Sequence, residues 1–119
     1  MPIYIWLTRG LSYSGYWPED NAIHINSDAE AYNYNSTPAV FGPLTLGHEL
    51  GHAALGHSET THARLWCEIE AWLWLLNRRS APTAEEARII TQALDYYAGL
   101  HPEDAKGQRA WSILRPALT

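Results

Sequence analysis

Two of the chain's six histidines stand with a glutamate in the run His48-Glu49-Leu50-Gly51-His52. On an α-helix, residues four apart share a face one turn apart, so both imidazoles can grip a single metal ion. Zinc suits neutral imidazole nitrogens where Lewis acidity is needed without redox chemistry. Glu49 follows the first histidine directly and is poorly placed to bind the same ion. It can reach a water beside that ion, which is the position of a general base. The chemistry expected is metal-assisted hydrolysis.

A hydrolytic zinc centre ordinarily has three protein ligands and one open position. The spacing HExxHxxGxxH would need glycine at 55 and histidine at 58, where this chain has Leu55 and Ser58. His57 and His62 fall just past the helix, where spacing does not constrain geometry. Glu70 is the favoured third ligand, because it lies within an apolar helical segment and a buried carboxylate needs a partner or a metal. Glu68 points about 200° away around that helix and follows Arg64 by four residues, so a surface ion pair accounts for it. Cys67 reads as a small core residue. If His57 or Cys67 closed the coordination shell, the centre would instead be structural, in a non-catalytic protein that binds or inhibits a partner.

The run HELGHAALGH followed by CEIEAWLWLL resembles the ImmA/IrrE family of metallopeptidase domains, and the similarity spans residues 13–76. The resemblance implies a zincin-like fold of the gluzincin type. It also implies zinc held by His48, His52 and Glu70, with Glu49 as the catalytic glutamate. Family members of this type often cleave helix-turn-helix repressors and are frequent on phages and mobile elements. The family's Asn or Asp and Phe-Ala after the E-A pair are replaced here by Trp72-Leu73-Trp74, the mark of a divergent branch.

The elements that must position these residues are legible in outline. Residues 2–9, 13–17 and 22–26 read as three strands of a small antiparallel sheet, with a turn at Pro18-Glu19-Asp20-Asn21. Residues 27–42 read as loop with a helical turn near Ala29–Tyr32. Pro43 opens the active-site helix, which runs to Leu55 and stops at Gly56. Thr61–Arg79 is a buried second helix. Thr83 and Glu86 form a capping box for a third helix through Ala98, ended by Gly99. The stretch Trp111–Leu114 is expected to dock as a short helical turn. The expected fold is α+β, one domain over residues 1–119, with the sheet packed on the active-site helix and two more.

Hydrolysis of a peptide bond also needs a donor to the oxyanion, and Tyr32, Tyr34, His57 and His62 flank the active-site helix. The strand at 22–26 is expected to offer its edge to an extended protein or peptide substrate. A net charge of −5 gives no footprint for binding a phosphate backbone, so no direct nucleic-acid partner is expected. The single cysteine excludes an intramolecular disulfide, and no segment has the roughly 20 apolar residues of a membrane span. The expected location is cytoplasmic, in the host if phage-encoded.

Overall fold

Ile23 and Ile25 alternate with His24 along a five-residue strand, so one face of that strand is apolar and packs inward. This strand organises the N-terminal part of the molecule. The structure, a computed structural model, describes residues 3–11, 14–33, 43–57 and 64–118. Among these, the chain order is β1 (Tyr4–Thr8), β2 (Gly15–Trp17), β3 (Ala22–Asn26), α1 (Glu30–Asn33), α2 (Leu44–Leu55), α3 (Leu65–Leu76), α4 (Ala84–Leu100) and α5 (Ala105–Leu118). The class is α+β, as the element pattern implies.

The sheet is mixed rather than antiparallel. Its order is β1-β3-β2, with β1 parallel to β3 and β2 antiparallel to it. A meander of neighbours is the default for consecutive strands, but the link after β1 crosses the end of β3 and brings β2 to its far side. Bonds at that end hold the crossing: Ser27 N–H donates to the Thr8 carbonyl, Asn26 N–H to Ser14 Oγ and Gly10 N–H to Asp28. Composition carries no record of this order. β3 is therefore central and hydrogen-bonded on both sides, so it cannot lend an edge to a substrate as expected. Among the described residues the edge strands are β1 and β2.

α2 is sandwiched between sheet and helices. Leu46, Leu50 and Ala53 pack on Tyr16, Ile23 and Ile25, while Leu44 joins Leu65, Ile69, Trp72, Leu75, Ile90, Leu94 and Trp111 in the main core. Each such aliphatic or aromatic side chain contributes about 1.5–3 kcal/mol on full burial. Gly56, at φ 69°, ends α2 in the left-handed conformation that glycine adopts without strain.

The second helix is shorter within the described residues than expected, beginning at Leu65 and ending at Leu76. α4 starts on the Thr83–Glu86 capping box, and Glu86 also takes a buried ion pair from Arg79 at 2.6 Å. α4 runs through Gly99 to Leu100. The C-terminal segment forms a 14-residue helix rather than a single turn. Asp104 explains it: one carboxylate oxygen accepts from Gly107 N–H at the start of α5, and the other accepts from Trp66 N–H at the start of α3. Two helix ends share one carboxylate, and Trp111 then enters the core. Among the described residues no helix is long and apolar enough to cross a membrane.

Candidate metal centre

His48 and His52 face α3 because α2 comes unusually close to it. Gly47 and Gly51, four apart on the same side, leave room for that approach: a Cβ on Gly51 would stand 2.6 Å from the Ala71 carbonyl oxygen, and one on Gly47 would stand 2.5 Å from Leu75 Cδ1. The histidines are thus carried against the face of α3 formed by residues 68, 71, 72 and 75. Trp72 stacks on the His48 ring with centroids 4.2 Å apart, which fixes that imidazole's plane.

The acidic side chain presented to both imidazoles is Glu68. His48 Nε2 lies 3.1 Å from Glu68 Oε1, and His52 Nε2 lies 2.7 Å from Glu68 Oε2. All three residues are buried, and their ligand atoms lie within 4.8 Å of one another. Four ligands about 2.0–2.1 Å from a tetrahedral zinc stand about 3.3 Å apart, so a small outward movement of the carboxylate would open this triad to an ion. His48 Nδ1 and Glu49 Oε2 are buried without a hydrogen-bond partner among the described residues, an arrangement that costs stability unless a further group is present. Two imidazoles and a carboxylate make a donor set that fits a divalent ion. The cluster could hold a metal.

Glu70, the expected third ligand, is not part of this triad. Its side chain is 35% exposed, and Oε1 lies 3.2 Å from His57 Nε2. His57 Nδ1 lies 2.8 Å from His52 Nδ1. Glu70 and His57 thus form a chain behind His52, the kind of support that holds a ligating histidine in one tautomer. The expectation failed because α3 is apolar nearly all round, so its composition does not reveal which face meets α2. Glu68, expected at the surface with Arg64, is the buried one. Ala71 was the available signal: it is the small residue of α3 that allows close approach to Gly51, and Glu68 lies one turn before it.

The two buried carboxylates are pushed in opposite directions. Burial raises Glu49 from 4.5 to about 7, and the Glu68 charge adds to this, while His52 and a hydrogen bond from Tyr16 N–H oppose it. Burial would raise Glu68 as well, but the charges and hydrogen bonds of His48 and His52 outweigh it and hold the group at about 2. One carboxyl is poised near neutrality while its neighbour stays ionised. Glu49 Oε1 lies 4.0 Å from His48 Nε2, beside the triad but outside it.

Tyr97 is a site residue that was not among the expected ones. It comes from α4; burial, then the nearby Glu68 and Glu49 carboxylates, push its pKa up, so it keeps its proton at neutral pH. Of the expected oxyanion donors, Tyr32 packs on Tyr16, Ile23 and Ile25, and His57 lies behind His52. Tyr34 and His62 lie outside the described residues. Comparison of the chain with family models, with curated proteins and with solved structures found no match.

Proposed function

We propose that the protein is a zinc-dependent endopeptidase, of the kind suggested by its resemblance to ImmA/IrrE metallopeptidase domains, acting on a protein substrate. The observation that carries this reading is the convergence of His48 Nε2, His52 Nε2 and the Glu68 carboxylate, with Glu49 beside them and outside the ligand set. A zinc ion held by the three would supply Lewis acidity to a water and to the scissile carbonyl. Glu49 Oε1 takes the proton from the attacking water and returns it to the leaving amine, and a carboxyl poised near 7 can do both. The Tyr97 hydroxyl, still protonated, is a donor for the oxygen on which charge develops. β2, an edge strand whose Tyr16 lies beside Glu49, offers the backbone edge nearest this chemistry to an extended chain.

The rival reading is a partner-binding protein that keeps zinc for structure, and it calls for a closed shell of four protein ligands. His57, the nearest further histidine, lies against Nδ1 of His52 rather than on the side of its Nε2. That placement favours an open position and hence catalysis.

Metal analysis and digestion of a diverse peptide library test the proposal together. The wild type and Glu49→Gln are expected to carry one zinc per chain, Glu68→Gln and His48→Ala to carry none, and only the wild type to cut the library. A zinc-loaded wild type that cuts no peptide, or a Glu49→Gln protein that cuts as well as wild type, would overturn the peptidase.

A further inference from the structure

A second group of ligating side chains lies behind the first. His57, Cys67 and Glu70 bring an imidazole nitrogen, a thiol sulfur and a carboxylate oxygen within 4.8 Å of one another. His57 and Cys67 are buried, and Glu70 is the partly exposed member that opens the group to solvent. α3 supplies Cys67 and Glu70, and His57 follows the Gly56 turn that ends α2, so the group is fixed by the same helix pair. Sulfur, nitrogen and oxygen donors in this combination suit zinc and, more strongly through the thiolate, softer ions such as cadmium.

The two groups share one hydrogen bond, between His52 Nδ1 and His57 Nδ1 at 2.8 Å. That bond holds a single proton. When His52 binds an ion through Nε2, its Nδ1 must carry the proton and donate to His57 Nδ1. His57 then carries its own proton on Nε2 and donates it to Glu70 Oε1, 3.2 Å away, leaving no lone pair there for a second ion. When His57 binds an ion through Nε2, the order reverses. His57 Nδ1–H donates to His52 Nδ1, and the proton on His52 Nε2 faces Glu68 Oε2, 2.7 Å away. Filling both groups would set two N–H bonds head to head across 2.8 Å.

We propose that His57, Cys67 and Glu70 form a second site for a thiophilic divalent ion, and that filling it releases the ion from the His48, His52 and Glu68 centre by reversing the His52–His57 hydrogen bond. The proposal deepens the zinc reading of that centre and rests on it. Thiophilic metal in excess would then inhibit the enzyme. Because the coupling is one free energy, each ion weakens the other by the same factor, expected to be about tenfold or more.

Cadmium titration of the zinc-loaded full chain tests this, with thiolate-to-cadmium charge-transfer absorption reporting the second site and released zinc reporting the first. Added cadmium should bring the band in as zinc leaves, so that total bound metal stays near one per chain. His48→Ala, which lacks the first centre, should show the band at least about tenfold more readily. Cys67→Ala should keep the first ion and never show the band. Equal band affinity in wild type and His48→Ala, or two ions held together by the wild type, would overturn the coupling. A wild type that keeps one ion but never shows the band would overturn the second site alone, leaving the peptidase reading standing. A wild type that takes up no zinc and shows the band as readily as His48→Ala would sink the zinc reading of the first centre.

Discussion

The α2–α3 seam and strand β1 are both rich in apolar residues, yet the chain treats them in opposite ways. At the seam two glycines replace side chains with contact between backbones, and the polar groups of the site are sealed inside. On β1 all five residues are exposed, including Trp6 and Leu7. Ile5 and Leu7 stand in register with Ile23 and Ile25 of β3; these two are fully buried, whereas Ile5 is 46% and Leu7 56% exposed. α2 lies over β2 and β3 and stops short of β1. Apolar composition therefore does not mark what holds this fold together. Proximity to α2 does.

The largest effect is expected where the seam has least room. Gly51→Val would drive a branched side chain into the Ala71 carbonyl, and neither helix can yield without moving the histidines. Overpacking against backbone of this kind is expected to cost more than about 3 kcal/mol and to abolish metal binding, as read by urea unfolding and bound zinc. A variant that kept both its stability and its metal would refute the close approach as the device that builds the site.

Glu49→Gln should act at the same seam with the opposite sign. In the metal-free protein Glu49 has a folded pKa of about 7 against 4.5 for the ordinary group. Below pH 4.5 folded and unfolded chains both hold the proton, and the variant should match wild type. As pH rises through 7 the unfolded chain has released that proton more readily, and wild type loses up to about 3 kcal/mol relative to the glutamine. Glu68 behaves conversely: its lowered pKa contributes stability above 4.5 that disappears as pH falls towards 2. Unfolding of the metal-free proteins from pH 4 to 8 measures the gap, and a difference independent of pH would show that Glu49 is not buried as a carboxyl. Zinc should shrink the gap, since a cation beside the carboxylate favours its charged form.

The same contrast explains what could be read from residues alone. The helix bearing His48, Glu49 and His52 was legible because proline, glycine and apolar spacing all mark it, and β3 was legible in its alternation. The Thr83–Glu86 capping box was equally plain. Choosing between Glu68 and Glu70 was not possible from periodicity, because a helix with apolar residues on every side presents no unique face. That choice belongs to packing, through Gly51 against Ala71. Tyr97 was not readable as a neighbour of Glu68, since nothing local links helices so distant in sequence. The β1-β3-β2 order likewise depends on where a short link crosses, and the parallel pairing follows from it. The long C-terminal helix was obscured by a distant cap, Asp104, whose second bond goes to Trp66 of α3.

The smallest effect is expected on β1, and register supplies its control. Leu7 and Ile25 are paired across the ladder, so replacing each with threonine puts the same β-branched residue, suited to a strand, at both positions and changes mainly the apolar surface. Ile25→Thr places a hydroxyl in the closed space between β3 and α2 and should cost about 3 kcal/mol. Leu7→Thr removes a side chain that already faces water and should change stability by no more than about 0.5 kcal/mol. Urea denaturation of the two variants, at several protein concentrations, compares the costs directly. If Leu7→Thr proved as damaging as Ile25→Thr, and the damage grew with concentration, β1 would be covered by another chain in solution. A small cost, independent of concentration, would place the folding energy in the helices and in the two strands they cover.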